Sequence, residues 1–371
     1  MSDSIDNSTA ASKRKVLLLF CGGTISMSKD AKTGALDVAH GADQFFKIEP
    51  RIVEIAQIDV RFVDNLDSTD MIHRQWERMV DIIDEEYKNY DGFLITMGTN
   101  TMAYASSAVS FALTGIGKPV VFTGAQIPAE VISTDGRNNL VNALRVAAMD
   151  LGGVFLVFGS KIILGCRAKK YSESDLDAFK TFNDSDFAEI SIGIKINKEG
   201  YDRHDRPFKA KNGFEDNIAC FTCIPGLRNE HLIALIEGGI KGIILRAFGS
   251  GDVPHELLPA LRRAREKKIP VVITTQCPGG ATVMGLNDPG LQALRQGKVI
   301  QAFDMCMEAM STKLMWLLKQ GIPYEELRDN MQKSLCGEVS TKRVKVFLNQ
   351  ELQKDKEYQR KLDDHSEKQK S

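Results

Sequence analysis

The chain reads as an α/β protein of two parallel-sheet domains, a larger N-terminal one and a smaller C-terminal one. Three observations predict this. Short unbroken apolar runs recur, of the kind that suits strands buried on both faces, and each ends in a polar, glycine-containing turn with a helical pattern after it. Residues 197–216 are charged and nearly free of aliphatics, which marks a linker. A fresh strand–helix–strand–helix–strand order then begins. At 371 residues the chain has the length of two ordinary domains.

Val16 to Phe20 is the first buried strand, and Cys21-Gly22-Gly23-Thr24 follows it. The polar stretch 26–41 has no helical period and reads as a surface hairpin or as a lid beside the glycine turn. Ile58 to Val63 is the second strand and runs into Asp67-Ser68-Thr69-Asp70. Ile72 to Tyr90 is an amphipathic helix with Trp76, Met79, Val80, Ile83 and Tyr87 on one face. Asp91 to Met97 is the third strand, ending in Gly98-Thr99-Asn100-Thr101, with a helix to about Leu113. Pro119 to Gly124, Gly153 to Phe158 and Ile162 to Cys166 are further strands, and a helix from Asp135 to Asp150 separates the first two. After the linker, strands are expected at 218–224, 242–246 and 270–275, with helices at 229–237, 255–267, 305–319 and 323–331. The expected organisation is a disordered arm (1–14), an N-terminal domain (15–196), the linker (197–216), a C-terminal domain (217–345) and a charged helical tail (346–371).

Composition excludes several classes of function. Apolar residues make up 43% of the chain and charged residues 26%, which is a globular balance. A net charge of -1 gives no electrostatic case for nucleic acid or an anionic membrane. No apolar run approaches the roughly 18 residues of a membrane span, and the N-terminus lacks the apolar core of a secretory signal. The seven cysteines are scattered. Cys220 and Cys223 form a Cys-Phe-Thr-Cys pair with no second pair to complete a zinc site, so free buried thiols in a reducing cytoplasm are expected, with no metal. No phosphate-binding or dinucleotide glycine motif occurs.

The chemistry rests on strand ends. In open α/β sheets, ligands bind at the carboxyl ends of the strands. Thr24 stands there as a candidate nucleophile, although Gly-Gly-Thr alone fits a turn with an incidental threonine equally well. Thr99 repeats the arrangement, and two strand–glycine–threonine junctions in one sheet are stronger than one. Ser68, Thr69 and Asp70 either cap the following helix or face the same crevice. The basic stretch from Arg167 to Lys170 is either solvated surface or the source of a lysine base, if burial depresses its pKa. None of the six histidines lies at a strand end with a catalytic partner. Threonines with a lysine suit acyl transfer.

With these residues in place, the chain resembles the bacterial-type L-asparaginase family and, within it, the cytoplasmic type I group, from about Lys15 to Thr341. The resemblance is carried by Gly22-Gly23-Thr24-Ile25, Asp67-Ser68-Thr69-Asp70-Met71, Met97-Gly98-Thr99-Asn100-Thr101, Gly124-Ala125-Gln126-Ile127-Pro128, Asp135-Gly136 and Asp175-Leu176-Asp177-Ala178-Phe179. In the second domain it is carried by Leu245-Arg246, Thr275-Gln276-Cys277, Glu308-Ala309 and Thr312-Lys313-Leu314. It implies an asparaginase-like fold and hydrolysis of the side-chain amide of L-asparagine to L-aspartate and ammonia through an acyl-enzyme, with no cofactor. It further implies Thr24 as nucleophile, Thr99 as the second threonine linked to Lys170, and Ser68, Thr69, Asn100 and Ala125 around the substrate. Backbone N–H groups near Thr99 and Ala125 would meet the oxyanion. An allosteric amino-acid site in type I relatives corresponds to the region of Arg246 and Cys277. The implied assembly is a homodimer or homotetramer.

Three positions depart from the family pattern. Asn100 replaces an aspartate that binds the substrate's α-ammonium group. Losing one partner of a buried charge pair costs about 2–5 kcal/mol. Residues 33–37 lack the tyrosine that the family lid carries, and Met97 replaces a histidine. Three readings follow. The first is an amidohydrolase with weak asparagine turnover, or with a substrate lacking a free α-ammonium group. The second is a catalytically silent amino-acid-binding or regulatory protein. The amidase subunit of a tRNA-dependent amidotransferase stands last, because the chain lacks that subunit's extra N-terminal domain and any basic excess.

Overall fold

The continuous apolar runs become strands covered on both faces. In the computed structural model, which describes residues 13–23, 27–29, 36–38, 43–128 and 131–340, β1 (Lys15–Phe20) is buried along nearly its whole length. A short antiparallel hairpin, β2 (Met27–Lys29) and β3 (Leu36–Val38), comes next, then α1 (Asp43–Ile48) and β4 (Gln57–Phe62). The amphipathic stretch forms α2 (His73–Glu86), which buries Trp76, Met79, Val80 and Ile83. Then come β5 (Gly92–Thr96), α3 (Met102–Ala112), β6 (Pro119–Thr123), α4 (Gly136–Ala147) and β7 (Gly153–Phe158). The antiparallel strands β8 (Lys161–Leu164), β9 (Ala168–Lys170), β10 (Phe179–Thr181), β11 (Ala188–Ile190) and β12 (Ile194–Ile196) complete this half.

The large sheet has the order β12-β11-β8-β7-β6-β5-β1-β4. From β4 to β7 it is parallel, and β8, β11 and β12 extend it antiparallel. β8 falls on the strand expected at Ile162 to Cys166, whereas β11 and β12, three residues each between Gly, Ser and Asp turns, carry too little periodicity to be read from the sequence. β1 lies between β4 and β5, and the chain leaves it first to one side and then to the other. Such a reversal opens a crevice at the strand carboxyl ends.

The second half holds β13 (Ile218–Thr222), α5 (Asn229–Glu237), β14 (Gly242–Ala247), α6 (Leu258–Glu266), β15 (Val271–Thr275), α7 (Asp288–Gln292), β16 (Ile300–Gln301), α8 (Met307–Lys319) and α9 (Tyr324–Gln332). Its four strands, in the order β13-β14-β15-β16, are all parallel. Alternate residues of β14 serve two cores. Ile243 and Leu245 pack with α5 and α6, whereas Ile244 joins the large core reached by α8. α8 also lies on α3, where Phe111 stacks on Trp316 at 6.4 Å between ring centres.

Residues 197–216 are not a loose tether. Phe214 is buried edge-on against Trp76, and Asn212 donates to Glu77 O and to the Asp81 carboxylate. Among the described residues no helix is long and apolar enough to cross a membrane. Of the expected arm (1–14), residues 1–12 lie outside the described residues, while Arg14 pairs with Asp91 and Asp150; the expected tail (346–371) lies wholly outside them.

Candidate functional site

Parallel register brings the strand ends to one edge. Phe20 sits beside both Phe62 and Thr96, and Thr96 beside Thr123. The loops that follow therefore meet. Gly22 and Gly23 adopt left-handed φ values of 82° and 96°. A Cβ on Gly22 would lie 2.6 Å from Leu66 O, and one on Gly23 only 2.3 Å from Gly98 N. The two glycines are required because the backbone touches the loops on either side. The strand-end junctions read in the sequence thus abut up to Gly23. Thr24 itself lies outside the described residues, as does most of the proposed lid.

Ser68 is buried, and its hydroxyl accepts the Asn100 N–H at 3.1 Å, while Ser68 O accepts from the Thr101 hydroxyl at 2.7 Å. Asp67 accepts the Thr69 N–H at 2.8 Å, which holds its carboxyl below the usual carboxylate range and fixes the turn carrying Ser68 and Thr69. The expected capping of the following helix by Ser68, Thr69 or Asp70 does not occur: Ile72 stands at the N-cap of α2, and Asp67 instead caps the short turn of Ser68 to Asp70, whose hydrogen bonds tie it to Asn100 and Thr101.

Lys170, read locally as part of a basic stretch and linked to Thr99 by the family resemblance, ends β9. Its Nζ donates to Thr99 Oγ1 at 2.8 Å and to Asn100 Oδ1 at 2.9 Å. Its position is set by buried contacts upstream. Ser106 and Ser107 of α3 donate to Gly165 O, and the wholly buried Arg167 donates to Gly337 O and pairs with Asp304 at 3.2 Å. Partial burial lowers the Lys170 pKa from its ordinary value, and the nearby Glu173 opposes this.

An ammonium group only donates, so the Asn100 oxygen must face Lys170. The Asn100 amide nitrogen then donates to Thr69 Oγ1 at 3.1 Å. The same logic orients Gln126. Its Nε2 faces two carbonyl oxygens, Glu173 O at 3.1 Å and Asp175 O at 3.3 Å, so its Oε1 takes the Thr99 hydroxyl proton at 2.9 Å. Asp135 accepts the backbone N–H groups of Gln126 and Ile127, and it takes one proton of Asn139. Ala125, buried between Gly124 and Gln126, stands at the same edge.

Gln126 and Asp135 are the functional candidates that residue-by-residue reading missed. Their signal was position, since Gly124-Ala125-Gln126 follows β6 as Gly98-Thr99 follows β5. Chemically, Thr99 can give its single proton to Gln126 while Lys170 is charged, or to the Lys170 lone pair once Lys170 is neutral. The row Lys170–Thr99–Gln126 is therefore able to move a proton at the strand edge.

Arg246 and Cys277 lie apart from this row. Together with Lys169, Phe182 and Met307 they line a small cavity of about 60 Å³ between the two sheets. Lys169 pairs with Glu308 at 3.2 Å. Adjacent residues of a strand point to opposite faces, so Lys169 and Lys170 serve the two places from one strand. All seven cysteines are free thiols; five are not exposed, but Cys220 and Cys277 are, contrary to the expectation of buried thiols. Cys220 sits on the edge strand β13, where one face is open. Among the described residues, Cys166, Cys336 and Glu338 bring ligand-type atoms within 4.8 Å of one another. Glu338 is already bound by Lys313 at 2.5 Å, and burial pushes the Cys336 thiol well up, so this cluster has the chemistry of a closed core.

Comparison with known proteins gives the family. The family model described as "Asparaginase, N-terminal" matches residues 15–201, and "Glutaminase/Asparaginase C-terminal domain" matches residues 217–331. The chain is 33% identical to L-asparaginase 1 of Escherichia coli strain K12 over 335 residues, covering 88% of this chain and 98% of that one. It is 31% identical over 337 residues to a Glutamyl-tRNA(Gln) amidotransferase subunit of Pyrococcus abyssi, covering 88% of this chain and 77% of that one. The structure of the thermostable L-asparaginase from Thermococcus kodakarensis superposes with a TM-score of 0.82 at 33% identity, covering 88% of this chain and 99% of that one. The chain belongs to the asparaginase family.

Proposed function

We propose that the protein hydrolyses the side-chain amide of a small substrate, L-asparagine foremost, through a threonine acyl-enzyme. Thr24 is the proposed nucleophile, and the hydrogen bond from Lys170 to Thr99 is the observation that carries the reading. In the first half-reaction the Thr24 hydroxyl attacks the amide carbon, its proton passes to the Thr99–Lys170 row, and ammonia leaves with a proton from that row. In the second, water attacks the ester, the same groups take its proton, and aspartate departs as Thr24 regains its own. Ser68, Thr69 and Asn100 would hold the substrate's polar end, and N–H groups near Ala125 and Thr99 would face the oxyanion. The chain itself supplies every group in this scheme, and no cofactor takes part.

Asn100 shapes the substrate class. Its oxygen is engaged by Lys170 and its nitrogen faces Thr69. A neutral amide there offers no negative charge to an α-ammonium group. The reading therefore includes substrates whose amine is blocked. The test is ammonia release from L-asparagine beside an N-acyl asparagine. A ratio of kcat/KM within about ten-fold supports a site that does not depend on the ammonium charge. If neither substrate releases ammonia, the reading fails.

A second reading, an amino-acid-binding or regulatory homologue, is favoured by the cavity that Arg246 and Cys277 share with Lys169, next to Lys170 in sequence. Calorimetric binding of an amino acid without turnover would select it. We further place the protein in the cytoplasm as a homodimer or homotetramer, which sedimentation would measure.

A further inference from the structure

The largest cleft among those described lies in the C-terminal half, at the opposite end of the small sheet from Thr275 and Cys277. Its volume is about 570 Å³, within the range of ligand pockets. Pro270 and Ile300, at the entries to β15 and β16, form its floor. Arg265, Lys268, Arg295, Lys298 and Arg328 surround it with Tyr324, against only two carboxylates, Glu266 and Glu325. Five cations against two carboxylates is a local excess of three positive charges, in a chain whose net charge is -1.

Two features separate this cluster from an ordinary basic surface. Cations are favoured near helix C-termini, which accounts for Arg265 in the last turn of α6. It does not account for Lys268 and Lys298. Both adopt left-handed φ, 57° and 50°, and they are two of only four described non-glycine residues that do so. Each sits just before a parallel strand, at the position where glycine or asparagine fits without strain. Local conformation thus disfavours lysine at both places, and both lysines line the same cleft. The second feature is how the other groups are held. Arg265 donates to Gln296 O and Arg328 to Val299 O, each at 3.3 Å, so one donor of each reaches the wall while further N–H donors remain. The one ion pair of Lys268, to Glu325 at 3.2 Å, joins two well-exposed groups and is readily exchanged for a stronger anion.

We propose that this cleft is a binding site for a phosphate-bearing small molecule of nucleotide size. Arg328 and Arg265 supply fork-shaped donors, Lys268 and Lys298 supply point charges, and the half-buried Tyr324 ring offers a flat wall for a base or sugar. The shared chemistry is a phosphate or pyrophosphate group. Whether a nucleoside is attached is decided by the probes.

The experiment is isothermal calorimetry of the full chain with inorganic pyrophosphate and, separately, with ADP, each at two salt concentrations. It is repeated on the double variant Lys268→Gly, Lys298→Gly. Glycine suits a left-handed backbone, so this variant keeps its fold, and its thermal midpoint stays level or rises. Removing two charge-assisted contacts lowers pyrophosphate affinity about ten-fold or more. ADP binding tighter than pyrophosphate assigns a nucleotide; equal affinity assigns the phosphate group alone. The proposal is overturned if neither probe binds at millimolar concentration. It is also overturned if the folded variant binds as tightly as the parent, or if only long RNA binds.

Discussion

Replacing Asn100 with aspartate tests the electrostatics of the site from both directions. In the structure the Asn100 oxygen lies 2.9 Å from Lys170 Nζ. A carboxylate oxygen placed there would attract the ammonium group by about 1.4 kcal/mol in a water-like medium, and by about 6 kcal/mol at an effective dielectric of 20. Lys170 is only partly buried, so the lower end of that range governs. The charge favours protonated Lys170 and raises its pKa, which burial alone holds below the ordinary value. A base works only when deprotonated. The acid limb of the kcat profile of Asn100→Asp therefore moves to higher pH, by about one to two pH units. The new carboxylate also offers a partner to an α-ammonium group. At saturating pH, kcat/KM for L-asparagine rises by a factor of about 30 or more, whereas an N-acyl asparagine gains nothing. The assay is ammonia release across pH for both substrates. An unchanged acid limb in an active variant would refute Lys170 as the titrating base. Equal gains for both substrates would refute the role given to position 100.

Two further outcomes follow from the packing. Gly23→Ala forces a Cβ to within 2.3 Å of Gly98 N at a left-handed φ; it lowers stability by about 1–2 kcal/mol or more in urea titration and abolishes ammonia release, and normal activity would contradict the close approach of the two loops. Glu338 is buried against Lys313, and that charge together with backbone donors holds its pKa below the ordinary carboxylate value. Its contribution is complete above the unfolded-state pKa and is lost as pH falls through the folded one. Stability should therefore decline on acidification below about pH 4.5, more steeply than in Glu338→Gln. That variant removes the carboxylate paired with Lys313, which keeps its bonds to Met331 O and Lys333 O, and costs about 3–5 kcal/mol at neutral pH. An unchanged acid midpoint in the variant would contradict the pairing.

Most of the parallel core was legible because strands such as β1, β5, β6 and β7 are apolar runs with their own terminating turns; β4 shows as a weak alternation, and the two-residue β16 was not expected. Gly153–Phe158 and Asn229–Glu237 match the observed elements end to end. Of β8 to β12 only β8 was legible, within Ile162 to Cys166; the three-residue strands after it were not. Ala168–Lys170 is three residues long and two of them are lysines, and nothing local distinguishes such a strand from a solvated basic stretch. The candidate site was half legible. Thr99 announces itself by following Gly98 at a strand end, and Ser68 by lying in the polar cluster that follows β4. Lys170 reaches Thr99 only because the buried Arg167 and the serines of α3 anchor its strand, a long-range arrangement that no local pattern encodes. Gln126 was visible as part of a motif. Its role came from the two carbonyls that orient its amide, and those belong to a loop some fifty residues away.

The most direct test of the central claim is ammonia release from L-asparagine and an N-acyl asparagine by the parent protein, Thr24→Ala and Lys170→Met, with each variant checked for folding by circular dichroism. The account expects the parent to release ammonia from at least one substrate. It expects both folded variants to fall by about a hundred-fold or more. A folded Lys170→Met protein with parental turnover would contradict it, and so would a parent inert toward both amides.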